Sequence, residues 1–207
     1  EFVSPFYLDA SGDGSAAAAS GAEYRVGREA RDEYGEALAP EKADPSVMGS
    51  CVLFDVGRAE RPIPFRKPEF AYDLIKDGKL RYFDRPETGR SLPKNAGEVG
   101  SLWWLSYGGT LDTIKDSSEI DLELKKLVYG YFDYIKNSGR YPGSENLFLE
   151  WVAPFASKRE SRRFLGDYVM TQNDISERRF HEDDISTGGW PFDCHDPAGI
   201  YGSDRTS

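Results

Sequence analysis

The segment 118–137 carries the strongest structural signal in this chain. Its apolar residues recur every three or four positions and so share one face of an α-helix: Ile120, Leu124, Leu127, Val128, Tyr131, Tyr134 and Ile135. Polar and acidic residues at 116–119 suit the start of a helix, and Gly139 suits its end. Because a helix with one apolar face must bury that face, the pattern predicts a packed domain built around it.

The other elements predict a mixed α/β fold. Aromatic and β-branched runs indicate six strands, over residues 2–8, 48–56, 80–83, 101–107, 147–155 and 164–170. An Ala-rich stretch at 15–22 and a segment at 70–77 that ends before Gly78 indicate two shorter helices. The charged, proline-containing residues 23–46 predict an exposed irregular excursion.

Composition excludes several classes of protein. The chain has 207 residues, enough to bury a core without disulfides, and 14% aromatic residues, which argues against wholesale disorder. A net charge of −10 argues against a protein that mainly binds nucleic acid. No apolar run reaches the roughly 20 residues of a membrane span, so no membrane partner is expected. Two cysteines, Cys51 and Cys194, are too few for a disulfide scaffold or a Cys-rich zinc site, and no metal is expected.

Residues 9–14, Asp-Ala-Ser-Gly-Asp-Gly, form a turn with four possible interpretations. The alternating oxygen residues resemble the start of a calcium loop, but Ser20 stands where a bidentate Glu is needed. Gly12, Gly14 and Ala17 match a dinucleotide fingerprint between a strand and a helix, although no second βα unit follows. The turn could also contact a flavin in a fold where two separate stretches bind it, with backbone N–H groups towards phosphate. The fourth interpretation is a purely structural turn.

A basic cluster stands out against the acidic background. Lys158, Arg159, Arg162 and Arg163 fall within six residues and only Glu160 offsets them. Arginine holds carboxylate or phosphate oxygens in a planar fork, so the cluster indicates an anion-facing site, with a solvated basic face as the alternative. Since neighbours on an extended chain point to opposite sides, we expect one of the two adjacent arginines to reach the cleft and the other to pair with acid.

The loop 188–196 and the tryptophan pair supply the other candidates. His195 lies between Asp193 and Asp196, which favour its charged form and could orient the ring for proton transfer. A surface-loop histidine is the alternative. Trp103 and Trp104 are neighbours on a predicted strand, so one of them could line a pocket while the other packs in the core.

Together these motifs resemble the bacterial FAD-dependent oxidoreductase family. The resemblance covers nearly the whole chain and rests on the order of its motifs: the turn at 9–14 with residues 19–29, the Trp-Trp and Gly-Gly pairs at 103–109, the long helix, Arg-Glu-Ser-Arg-Arg-Phe-Leu-Gly-Asp-Tyr-Val-Met-Thr at 159–171, and Gly-Gly-Trp-Pro-Phe-Asp-x-His at 188–195.

The resemblance implies a Rossmann-like flavin domain interrupted by a substrate domain. It places residues 1–30 in the second flavin-contacting strand-turn-helix and residues 31–207 in the substrate domain. The cofactor implied is FAD, contacted by Gly12, Asp13 and Gly14, and the partner implied is a small-molecule substrate. The resemblance places Arg159, Arg162, Arg163 and His195 towards the cleft between flavin and substrate, with His195 as the predicted catalytic residue. Trp104 of the tryptophan pair is a further predicted substrate contact.

The chain also departs from the family pattern. The strand-Gly-x-Gly-x-x-Gly-helix that seats the ADP half of FAD is not found in it, and neither is the stretch that closes over the flavin ring. We therefore expect a fragment that lacks other parts of the flavin domain and is inactive alone. Two rivals remain: a binding module for carbohydrate that uses Trp103, Trp104 and Trp190, and a metal-dependent hydrolase.

Overall fold

The structure is a computed structural model that describes residues 3–84, 93, 100–189 and 192–202. Its helices are α1 (Ser15–Ala19), α2 (Arg31–Tyr34), α3 (Ser117–Asn137) and α4 (Gln172–Glu177). Its strands are β1 (Tyr24–Arg25), β2 (Ser50–Cys51), β3 (Phe54–Arg58), β4 (Ser106–Tyr107), β5 (Leu147–Val152) and β6 (Arg163–Phe164). Among the described residues, 3₁₀ turns cover Leu80–Tyr82, Ser144–Asn146 and Gly199–Tyr201. The mixed α/β content is as predicted.

The chain forms two compact units. The first unit comprises Glu1–Val47 and Glu160–Asp193, and the second comprises Met48–Arg159 and Cys194–Ser207. Compactness does not assign a function to either unit, so the predicted division into a flavin part and a substrate part at residue 30 stays a prediction.

The second unit is built around α3. The apolar face predicted from the periodicity is buried, and Leu124, Leu127 and Ile135 are fully enclosed. Phe54, Phe83, Leu105 and Leu147 pack with this face in one hydrophobic cluster. Truncating one such enclosed leucine to alanine would cost about 2–5 kcal/mol, so this face supplies much of the stability of the unit.

Two short antiparallel sheets belong to the same unit. Strand β3 pairs with β5 from Phe54↔Val152 to Arg58↔Leu147, with an irregularity between Asp55 and Val56, and β2 pairs with β4. The predicted strand over residues 147–155 is thus confirmed for its first six residues. The single strand predicted over 48–56 is two strands, which pair with different partners.

A buried lysine secures the turn between α3 and β5. The Lys136 side chain is 7% exposed, and its ammonium donates to the carbonyls of Ser144, Glu145 and Leu147 at 3.0, 2.8 and 2.5 Å. The amide groups of a tight buried turn must find partners, and here a charged donor serves three of the carbonyls at once.

The first unit contains less regular structure. Strand β1 pairs with β6 through Tyr24↔Phe164 and Arg25↔Arg163, and a further bridge joins Arg28 to Asp44. The excursion predicted over residues 23–46 is therefore wrong in part, because these residues supply β1, α2 and a strand bridge.

Several predicted elements are wrong. Residues 3–8 form no strand: Pro5 lacks an N–H group, and the backbone N–H groups of Ser4 and Phe6 donate to nearby side chains instead of a neighbouring strand. Residues 70–77 form turns rather than a helix, and the predicted strand at 80–83 is a 3₁₀ turn. The strands predicted over 101–107 and 164–170 are regular only at β4 and at Phe164.

Candidate functional site

The turn at residues 9–14 satisfies the start of α1 with its own side chains. The Asp9 carboxylate accepts hydrogen bonds from the N–H groups of Ala17 at 2.8 Å and Ser11 at 2.9 Å, and from the Ser11 hydroxyl at 2.7 Å. The N–H group of Ser15 donates to the Ser11 oxygen at 2.8 Å. Hydrogen bonds to the ionised form, first that from Ala17, lower the pKa of Asp9 to about 2. A carboxylate therefore occupies the place at α1 where an external anion would bind.

The two glycines of the turn have different surroundings. Both adopt positive φ, +83° at Gly12 and +63° at Gly14, a conformation that glycine tolerates best. A Cβ at Gly14 would lie 2.0 Å from Cε2 of Phe164, so this glycine allows the ring to pack on the backbone. A Cβ at Gly12 would meet no described atom within 4 Å, so the backbone there is open to a ligand.

Asp13 joins the turn to the basic cluster. Its Oδ1 accepts a hydrogen bond from the Ser161 hydroxyl at 2.7 Å, and its carbonyl accepts one from Nη1 of Arg162 at 3.0 Å. The guanidinium of Arg162 also lies 5.2 Å from the centre of the Tyr24 ring, within the range of a cation–π contact. Two motifs that the sequence places about 150 positions apart therefore form one structure within the first unit.

Arg163 is held by two carboxylates. Its guanidinium donates to Glu160 at 2.6 Å and to Glu29 at 2.7 Å. Burial alone would lower the pKa of Arg163, but these two hydrogen bonds raise it overall, so the group stays charged. The expected ion pairing of one of the two adjacent arginines is thus observed at Arg163, whereas the expectation that the other reaches a substrate cleft stays a prediction.

A cavity of about 410 Å³ in the first unit has Arg163 in its wall. Charged groups of both signs line it, including Arg25 and Glu29, together with Tyr34 and the residues 164–166 and 168–170. Its volume and mixed lining suit a small organic molecule with polar and apolar parts. The sequence analysis identified Arg163 but missed Arg25, Glu29 and Tyr34, which come from residues predicted to be an exposed excursion.

Three other predicted site residues lie in the second unit. Nη1 of Arg159 lies 3.6 Å from the sulfur of Cys51. Trp104 is half-buried, with its ring edge-on to Phe83 and Tyr131 at centroid distances of 5.9 and 5.8 Å, so it packs against the core. His195 is also half-buried. The order of the motifs also predicts one anion-facing site for His195, Arg162 and Arg163, and this stays a prediction.

The residues of the rival carbohydrate-binding hypothesis are only partly described. Trp103 is 63% exposed, as a stacking surface requires, whereas Trp190 lies outside the described residues. In the part of the chain that the structure describes, no group of three or more His, Cys, Asp or Glu side chains could hold a metal ion. None of the helices described there is long and apolar enough to cross a membrane.

Sequence reasoning missed one polar cluster altogether. In the second unit, Glu123 of α3 accepts hydrogen bonds from the hydroxyls of Tyr72 and Tyr201, and Lys79 lies beside them. Burial, followed by the hydrogen bond to Glu123, raises the pKa of Tyr72 to about 12 and raises that of Tyr201 further. Glu123 lies three positions, or about one helical turn, after Ile120, and so lies next to the apolar face of α3. This spacing is the signal in the sequence that its side chain points inward.

A match to one protein family shows where this chain belongs. Residues 1–206 match the family model described as FAD dependent oxidoreductase. The chain belongs to this family. FAD is therefore its implied cofactor, and the resemblance drawn from the motif order is confirmed at the level of the family. No curated protein and no solved structure matches the chain.

Because the family implies FAD, the residues predicted to contact it must fit the cofactor in the structure. In the turn at 9–14, the open backbone of Gly12 leaves room for the cofactor to approach closely. The turn does not fit a phosphate at the start of α1, because the Asp9 carboxylate already accepts the N–H group there and would repel a second anion. In this member of the FAD-dependent oxidoreductase family, the turn suits an uncharged part of the cofactor.

Proposed function

We propose that this protein transfers a hydride between a small-molecule substrate and FAD. Family membership supports the type of reaction. The joining of the turn at 9–14 to Ser161 and Arg162 through Asp13 supports the location, because it brings the predicted cofactor turn together with one predicted substrate residue, Arg162, in the first unit. When bound, the flavin supplies the redox chemistry, and the protein supplies binding, orientation and exclusion of water.

Gly12 is the proposed backbone contact with the cofactor, and Asp13 and Gly14 fix the shape of the turn. Asp13 does so through Ser161 and Arg162, and Gly14 does so by letting the Phe164 ring pack on the backbone. The sequence analysis predicted that Gly12, Asp13 and Gly14 all contact FAD. In this proposal only Gly12 contacts the cofactor, and the N–H group of Ala17 in α1 is bonded to Asp9 instead.

The cavity beside Arg163 is the proposed substrate site. The ion pairs of Arg163 with Glu29 and Glu160 hold its guanidinium at the wall of that cavity. The Arg163 charge is thus already compensated by carboxylates, so the site suits a polar, neutral or zwitterionic substrate better than a strong anion. Arg159 and Trp104 remain proposed substrate contacts supported by motif order alone.

His195 is the proposed proton carrier. In the sequence, His195 lies between Asp193 and Asp196. The Asp196 carboxylate accepts a hydrogen bond from the N–H group of Ala198 at 2.8 Å, which fixes the local backbone. A histidine in a fixed loop can take or return the substrate proton that accompanies hydride transfer. The Rossmann-like flavin domain with an inserted substrate domain, and the bacterial origin, belong to the same proposal and rest on the family resemblance.

Two glycine variants test the location of the cofactor. Gly12 and Gly21 have nearly the same φ, +83° and +90°, and at both a Cβ would meet no described atom within 4 Å. Gly12→Ala and Gly21→Ala therefore carry similar backbone strain, about 1–2 kcal/mol each. In the protein expressed from its complete gene, titration calorimetry should show FAD affinity reduced roughly tenfold or more in Gly12→Ala and unchanged in Gly21→Ala. Equal affinities in the two variants would refute the assignment of Gly12.

A further inference from the structure

Glu123, Tyr72 and Tyr201 of the second unit surround one ammonium group. Nζ of Lys79 lies 4.3 Å from the centre of the Tyr201 ring and 4.7 Å from that of the Tyr72 ring. It donates to the Tyr201 hydroxyl at 3.0 Å and lies 4.0 Å from Oε1 of Glu123. Two aromatic faces, a hydroxyl and a carboxylate form the set of groups that recognises an organic ammonium ion in water.

The cage formed by these three residues is also held by contacts that do not involve Lys79. Both phenols donate to the Glu123 carboxylate, Tyr72 at 2.8 and 2.9 Å, and the side chain of Glu123 is only 13% exposed. Tyr201 is further fixed by the ring of Tyr107, which lies edge-on at 5.6 Å. The Glu123 carboxylate is thus largely withdrawn from water, and a carboxylate in such a place requires a cation beside it.

Lys79 reaches the cage from an exposed loop. The preceding residues 75–78 are all exposed, and Gly78 adopts a φ of +64°. The lysine side chain itself remains 23% exposed, so its ammonium lies at the boundary between the cage and solvent. A second cation, Lys126, lies 3.6 Å from Oε2 of Glu123 and serves the other carboxylate oxygen.

We propose that this cage is a binding site for small primary alkylammonium ions, and that Lys79 occupies it as a built-in competitor. The recognition chemistry does not depend on the rest of the lysine, because every contact described above is made by Nζ. An amine of similar shape can make the same contacts once Lys79 withdraws. A tethered competitor acts at a high effective concentration, so the native protein would bind such amines weakly.

Shortening Lys79 tests the proposal. Lys79→Ala removes the ammonium from beside the two rings and leaves Lys126 beside Oε2 of Glu123, and n-butylammonium chloride should then raise the melting temperature saturably, with an affinity in the millimolar range. Neither 1-butanol nor sodium chloride at the same concentration should do so. Lys79→Met fills the space of the lysine stem without a charge and should show no such effect. Lys76→Ala, which removes a neighbouring side chain that is 82% exposed, should behave like the native protein.

Adding Glu123→Gln to Lys79→Ala keeps the shape of the cage and removes its charge. The affinity for butylammonium should then fall roughly tenfold or more. If Lys79→Ala folds only in the presence of the amine and not in sodium chloride, that result supports the proposal. A response of Lys79→Ala that equals its response to sodium chloride, or no recovery of fold with the amine, would overturn it.

Discussion

The packing of Phe164 on Gly14 makes the substitution Gly14→Ala unusually costly. The new methyl group would lie 2.0 Å from Cε2 of Phe164 and 2.6 Å from Cζ, well inside van der Waals contact. The backbone of Phe164 is held in β6 opposite Tyr24, and its ring lies 5.6 Å from the Tyr24 ring, so turning the ring away from Gly14 would disturb that ring contact. Overpacking of this kind costs about 1–3 kcal/mol. The positive φ adds about 1–2 kcal/mol for any residue with a Cβ.

Gly12→Ala separates the two contributions. It carries the same backbone strain without the collision, since no described atom would lie within 4 Å of its Cβ. Urea unfolding followed by circular dichroism should show losses of about 2–5 kcal/mol for Gly14→Ala and about 1–2 kcal/mol for Gly12→Ala. Phe164→Leu should recover part of the difference in the Gly14→Ala background. Equal losses in the two single variants, or no recovery, would show that the turn does not pack on β6 as described.

Two further predictions concern stability. Lys136→Met should lower the free energy of unfolding by about 2–4 kcal/mol, because it leaves buried carbonyls without their donor. Lys115→Met, at a side chain that is 83% exposed, should change the free energy of unfolding little. Urea titrations of the two variants test this difference. The pKa of Asp9 is lowered in the fold to about 2, so its contribution is present above the ordinary value of 3.8 and is lost as the pH falls towards 2. Acid unfolding of Asp9→Asn should therefore show a weaker pH dependence in this range than that of the native protein, and identical curves would contradict the capping role.

The long helix could be predicted from the sequence because its signal is local. The periodicity from Ile120 to Ile135 placed it within one residue of its observed start, and the burial of that face followed. Helix α4 also carried a local signal that was overlooked: Thr171 precedes Asp174 by three positions, and its N–H and hydroxyl both donate to that carboxylate.

The candidate site was only partly predictable because its contacts are not local. Residue types and motif order identified Gly12, Asp13, Arg162 and Arg163, but nothing in the sequence pairs Asp13 with Ser161 across about 150 positions. The capping by Asp9 was equally hidden, since an Asp before a short helix can cap it or face a ligand. Short strands such as β1 and β6 depend on these tertiary contacts more than on propensity.

The contact between the turn and the cofactor can be measured directly by amide hydrogen exchange. In the protein expressed from its complete gene, added FAD should slow exchange in the peptide that covers residues 10–17. The turn at residues 112–116, stabilised by Asp112 in the second unit, provides an internal reference whose exchange should not change. Protection of 10–17 would support the proposed cofactor contact, whereas FAD that binds tightly and leaves this peptide unprotected would contradict it.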